Sequence, residues 1–147
     1  MLTIRLFAPD DVFEISRITQ ESLGESYPTS FFLSIYQYWP EGFLVATENG
    51  MLIGFVVGVI SRVRQARILM LAVRENHRRA GIAVILLRAF ISSCMQKGLD
   101  SIILEVRTSN IPAINLYTKL RFRIVEKLRS FYRDGGDGLR MELVLQS

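Results

Sequence analysis

An apolar run from Ile68 to Val73 leads into Arg78-Arg79-Ala80-Gly81-Ile82-Ala83, and a long amphipathic segment continues from there to Lys97. That order predicts a strand, a basic glycine-containing turn and a helix, which aims backbone N–H groups at an anion. The first turn of a helix leaves four donors unpartnered and carries roughly half a positive charge. Gly81 lets the backbone approach a bulky anion, Ala83 is too small to obstruct it, and Arg78 and Arg79 add forked donors for phosphate oxygens. Taken alone, the hexapeptide is equally consistent with a plain strand-to-helix connection carrying two solvated arginines. The rest of the chain decides between them.

The 147 residues are 50% hydrophobic and 22% charged, so one domain over 1–147 with its own core is expected, and disorder is excluded. The longest apolar run, Met51 to Ile60, is interrupted by glycines and well short of the roughly 20 residues that cross a bilayer. Met1-Leu2-Thr3-Ile4-Arg5 reads as a first strand and not as a secretion signal. With one cysteine there is no internal disulfide, which fits the cytoplasm, and Cys94 falls on the apolar face of the long helix. The net charge of +4 suits a polyanionic cofactor or the ribosome surface. No aromatic-interleaved basic stripe supports specific nucleic-acid binding. His77 is the only histidine and has no clustered cysteines, so no metal site is expected.

Along the chain, Thr3 to Phe7 reads as a strand, and Pro9-Asp10-Asp11 starts a helix with Val12, Ile15 and Ile18 on one face. A shorter helix is expected over Ser30 to Tyr38. Strands over Phe43 to Glu48 and Met51 to Ser61 flank Asn49-Gly50, a strong hairpin signal. Another runs from Ala66 to Val73. Ile82, Ile85, Leu86, Ala89 and Phe90 recur at helical spacing up to Gly98, a plausible end residue. Ser101 to Val106 is strand-like. Asn110 can cap a helix with Pro112 in its first turn, and strands near Phe122 to Leu128 and Leu139 to Leu145 close the chain. The fold class is therefore α/β (α+β), with a mainly antiparallel mixed sheet of about seven strands and about four helices.

The basic turn resembles the acetyl-CoA diphosphate loop, Q/R-x-x-G-x-G/A, of the GNAT superfamily of N-acetyltransferases. Leu104-Glu105-Val106-Arg107-Thr108-Ser109-Asn110, followed by Ala113, Tyr117 and Phe122, is similar to a block of RimI-like N-terminal acetyltransferases. The resemblance covers nearly the whole chain. It implies a GNAT fold whose central strands, one ending at Val73 and one beginning near Ser101, splay to admit the pantetheine arm of acetyl-CoA. It also implies cofactor contacts at Leu71, Ala72 and Val73, at Arg78, Arg79, Ala80, Gly81, Ile82, Ala83 and Val84, and at Asn110 and Tyr117.

The implied reaction is attack of a neutral amine on the acetyl thioester. It needs a deprotonated nucleophile, a donor to the thioester oxygen and a donor to the leaving thiolate. A backbone N–H along Leu71-Ala72-Val73 can serve the oxygen. Asn110, Ala113 or Ile114, and Tyr117 share one helical face, so Tyr117 is the candidate for the leaving group. Full proton transfer from an ordinary tyrosine to a thiolate is uphill by roughly 2 kcal/mol, so donation of a hydrogen bond is the easier role. Two carboxylates compete as base. Glu105 interrupts an apolar strand and matches the proposed proton acceptor of RimI-like enzymes; its alternative is a strand-end glutamate paired with an arginine. Glu25 lies in Leu23-Gly24-Glu25-Ser26-Tyr27, which is similar to the L-P-E-N-Y substrate loop of NatA-type catalytic subunits. Phe131-Tyr132-x-Asp134-Gly135 is similar to their substrate hairpin. The resemblance thus implies substrate contacts at Leu23, Glu25, Tyr27, Phe131 and Tyr132.

Reactivity favours a chain terminus as acceptor. An α-amine is about a tenth neutral at pH 7, a lysine only to a few parts in ten thousand. The expected function is acetylation of protein or peptide N-termini by a monomer. Lysine or small-amine transfer on the same fold and a non-catalytic acetyl-CoA-binding module are the alternatives. Three positions depart from the family pattern. Arg121 stands where glycine ends the helix, at a cost of about 1–2 kcal/mol if left-handed. Gly24 and Ser26 replace proline and asparagine, which should loosen the substrate loop. Phe131 lacks a tyrosine's hydroxyl.

Overall fold

The structure is a computed structural model that describes residues 1–78 and 81–146. Seven strands form one sheet: β1 (Leu2–Leu6), β2 (Phe43–Glu48), β3 (Met51–Arg62), β4 (Gln65–Val73), β5 (Ser101–Arg107), β6 (Arg123–Leu128) and β7 (Gly138–Val144). Their order is β1-β2-β3-β4-β5-β7-β6. Only β4 and β5 run parallel, and the remaining neighbours are antiparallel. Four helices complete the fold: α1 (Val12–Leu23), α2 (Thr29–Tyr38), α3 (Ile82–Gln96) and α4 (Ile111–Lys119). Pro9–Asp11 forms a short 3-10 turn ahead of α1, and the last strand pair begins at Arg123, leaving Phe122 as a buried core residue.

Each sheet face has its own core. On one, Phe7, Val12, Ile15, Ile18, Phe32 and Phe43 bring α1 and α2 against the sheet. On the other, Leu86, Phe90 and Cys94 of α3 pack with Ile102, Leu104 and Val106, the alternate residues of β5. Gly58 allows this approach, because a Cβ there would stand 2.5 Å from Phe90 and 2.6 Å from the Arg67 carbonyl. Asn49 and Gly50 both take positive φ, 51° and 81°, as the tight hairpin between β2 and β3 requires.

Arg121 does adopt the left-handed conformation, with φ 76°. The N–H of Phe122 donates to the Tyr117 carbonyl and that of Arg121 to Thr118, each at 3.0 Å. That double bond pattern is the helix ending a glycine usually makes. Arg121→Gly should therefore stabilise the protein by about 1 kcal/mol, raising Tm by roughly 2–4 °C in a calorimetric scan.

The feature that shapes the site lies between β4 and β5. Their backbones pair only at Gln65↔Ser101, Ala66↔Ile102 and Arg67↔Ile103. Immediately beyond, the β3–β4 register shifts, with Val57 opposite Met70 and Gly58 opposite Ile68, so Leu69 bulges. From there β4 continues along β3, and β5 continues along β7 up to Arg107. The two strands splay, as the resemblance implies.

Candidate active site

The opening of the splay leads into a cleft of about 410 Å3. Leu71, Ala72 and Val73 of β4 form one wall; Arg78, Gly81, Ile82, Ala83 and Val84 form its end; Asn110, Ala113 and Tyr117 form the opposite wall. His77, Pro112 and Leu116 complete the lining. Arg79 and Ala80 lie outside the described residues. Gly81 is the N-cap of α3 with φ 74°, and a Cβ there would meet nothing within 4 Å. Its left-handed turn is thus what demands glycine, and any side chain would project into open space. The Ile85 N–H donates to the Gly81 carbonyl at 3.1 Å, and Ile82, Ala83 and Val84 form the first turn of α3, where backbone N–H groups are available to an anion. Arg78 donates through Nε to the Val73 carbonyl at 2.9 Å, which ties the loop to the strand end. Its terminal nitrogens make no ion pair among the described residues.

Asn110 caps α4, its Oδ1 accepting from the Ala113 N–H at 3.3 Å. That bond fixes the face on which Ala113 and Tyr117 follow. Tyr117 is 9% exposed and meets Phe122 edge-on, with ring centroids 5.7 Å apart. Burial, with a smaller contribution from Tyr132, pushes its hydroxyl up to about 12.

A second cleft, of about 630 Å3, is lined by Glu25, Ser26 and Tyr27 from the α1–α2 connection, and by Arg107, Tyr132, Arg133 and Asp134. Gly24 takes φ 66° at the end of α1, with its N–H donating to Gln20 at 3.1 Å. Here glycine ends the helix, and beyond it Tyr27 stacks on Phe31 at 4.8 Å and donates its hydroxyl to Glu25 at 3.2 Å. Leu23, the last residue of α1, and Phe131, 45% exposed and edge-on to Tyr132, are not part of this lining.

Tyr132 is where the candidate residues converge. Partial burial raises its hydroxyl, the Arg107 guanidinium lowers it, and the carboxylates of Glu105 and Glu25 raise it again. Its charge is in turn felt at Tyr117. Arg107 lies over the Tyr132 ring, 4.1 Å from the centroid, and donates to Asp134 Oδ1 at 3.1 Å. The Gly136 N–H and then Arg107 hold the exposed Asp134 carboxyl below its ordinary range. Glu105 is in the lining of neither cleft; its charge, like that of Glu25, acts on the Tyr132 hydroxyl.

Glu105 sits on the β5 face opposite the α3 core, its side chain 12% exposed. Its Oε1 accepts from Arg67 and its Oε2 from Arg140 Nε at 2.9 Å. Arg140 also reaches Glu126. The arginine partner expected as the alternative role for Glu105 is present, in two copies. Arg67, Arg107 and Arg140 are site residues that sequence reasoning did not single out. A signal existed only for Arg107, two residues beyond Glu105 on the same strand face.

Cys94 is fully buried in α3, and burial pushes its thiol up to about 12. It should resist iodoacetamide in the native protein and react only on unfolding, as mass spectrometry would report.

Residues 12–122 match the Acetyltransferase (GNAT) family. The chain is 36% identical to an N-alpha-acetyltransferase of Saccharolobus solfataricus, over 95% of this chain and 90% of the relative. Its structure is similar to that of Ard1 from Thermoplasma volcanium, with a TM-score of 0.94, 39% identity and 99% of both chains covered. The ribosomal-protein-S18-alanine N-acetyltransferase of Escherichia coli is also similar, with a TM-score of 0.87, 27% identity, and 100% of this chain and 96% of that one covered. The chain belongs to the GNAT family of acetyltransferases.

Proposed function

We propose that this protein transfers the acetyl group of acetyl-CoA to the α-amine of protein and peptide N-termini by direct attack of the amine on the thioester. The observation that carries this reading is the cleft that joins the splayed end of β4 to the start of α3, with Tyr117 in its lining, together with a second cleft lined by Glu25, Tyr27 and Tyr132. The names of the relatives, N-alpha-acetyltransferases among them, support the same activity.

The helix-start N–H groups of Ile82, Ala83 and Val84, with Arg78 and Arg79, would hold the diphosphate. The edge of β4 along Leu71, Ala72 and Val73, where β5 no longer pairs, would receive the pantetheine amides, with the Val73 carbonyl already held by Arg78. A backbone N–H of that edge polarises the thioester oxygen. Acetyl-CoA supplies the activated acetyl group, and the protein orients it.

Tyr117 acts by donating a hydrogen bond to the departing thiolate. With its hydroxyl near 12, surrender of the proton to a thiol of ordinary acidity would be uphill by about 5 kcal/mol. Glu105, and Glu25 through Tyr27 and water, accept from the incoming amine. Tyr27 and Tyr132 flank the entry of the chain end, with Leu23 and Phe131 at its outer margin. The β5–α4 block makes the site RimI-like. We place the enzyme in the cytoplasm as a monomer, and the net charge of +4 supports contact with the ribosome, where new chain ends emerge.

Thiol release with short free-terminus peptides, set against terminally blocked lysine-containing ones, tests the reading. Turnover should be confined to free termini; turnover only with blocked peptides would assign the enzyme to lysine side chains.

A further inference from the structure

The ion-pair cluster around Glu105 has a position that its packing alone does not explain. Arg67 is the last residue of β4 with a backbone partner in β5, Ile103. Its side chain reaches past that pair to Glu105, two residues further toward the open end. The guanidinium therefore spans the strands where their ladder stops. Arg140, opposite Glu105 in the β5–β7 register, takes the other carboxylate oxygen.

The charged and titratable groups around Glu105 come from several elements. Arg67 belongs to β4 and Arg140 to β7, while the hydroxyl of Tyr132, in the connection after β6, is raised in part by the Glu105 charge. Glu126 of β6 reaches the cluster through Arg140, and Glu25 joins through its effect on Tyr132. A carboxylate offers about four acceptor directions, and the two guanidiniums use one on each oxygen. The remainder are left for the reacting amine or its water.

We propose that Arg67 is a positioning residue for acetyl transfer: by bridging the splay from β4, it fixes the Glu105 carboxylate at the point where the two strands part. This rests on the reading of Glu105 as the acceptor of the amine's proton. A charged donor at the point of divergence holds the acceptor still as the strands part. A misdirected acceptor costs turnover without changing cofactor binding.

The test is a double-mutant cycle on thiol release, using Arg67→Gln, Arg67→Lys, Glu105→Gln and the Arg67→Gln/Glu105→Gln pair. Arg67→Gln should lower kcat about 10- to 50-fold, with KM for acetyl-CoA within about twofold of wild type. Arg67→Lys, which keeps the charge, should recover most of that loss. In the Glu105→Gln background, Arg67→Gln should cost less than about twofold more. An undiminished loss in that background, or a loss confined to KM, would overturn the proposal. A fully active Glu105→Gln would overturn it while leaving acetyl transfer to N-termini intact. A wild-type enzyme without turnover on any free terminus would instead fail the functional reading, and the inference with it.

Discussion

Tyr117→Phe should lower kcat by about 100-fold and leave KM for acetyl-CoA within about twofold in a thiol-release assay at saturating peptide. The ring still packs against Phe122 and still walls the cleft, so cofactor binding and stability change little. Among the described residues that line the cleft, Tyr117 alone carries a hydroxyl, and the substitution removes the donor proposed for the leaving thiolate. Burial raises this hydroxyl from its ordinary value to about 12, and that direction sets the pH dependence. A donor must be protonated, so its contribution is complete below pH 10 and fades only as pH rises toward 12. The wild-type rate should accordingly show no loss attributable to Tyr117 between pH 7 and 10. A fall centred near pH 10 that is absent in Tyr117→Phe would indicate a solvated tyrosine and contradict its burial in the cleft wall.

Gly81→Val should raise the Kd for acetyl-CoA by about 10- to 100-fold in a calorimetric titration. Two costs combine. The left-handed φ of 74° penalises any L-residue, by about 1–2 kcal/mol, and a branched one most. The new side chain also projects into the open space beside the helix-start N–H groups, where the diphosphate would sit. Gly81→Ala should show the same direction with a smaller effect. Because a Cβ at this position meets no protein atom, lost affinity cannot be traced to a clash within the fold. Unchanged affinity in Gly81→Val would move the anion away from α3.

Local signals carry most of the secondary structure. The basic turn with Gly81, the Asn49-Gly50 hairpin and the Asn110 cap each act within a few residues, so periodicity and turn chemistry suffice to find them. The splay does not follow from pattern: Ile68 to Val73 is an unbroken apolar run, and nothing in it marks Leu69 as the bulge. Its expectation comes from the family resemblance. Glu105 is legible as a charge in an apolar strand, whereas its partners Arg67 and Arg140 are 38 and 35 residues away and become neighbours only through sheet order. Gly24 reads from sequence as loosening a loop, yet it ends α1, a role apparent only once the helix boundary is known. Likewise Arg121 shows that the helix ending persists without its usual glycine.

A crystal structure with bound coenzyme A tests the central claim most directly. The diphosphate is expected against the N–H groups of Ile82, Ala83 and Val84, with the pantetheine arm lying along Leu71, Ala72 and Val73 and the sulfur within hydrogen-bonding reach of the Tyr117 hydroxyl. Coenzyme A bound on another face of the protein, or with its sulfur turned away from Tyr117, would contradict the account.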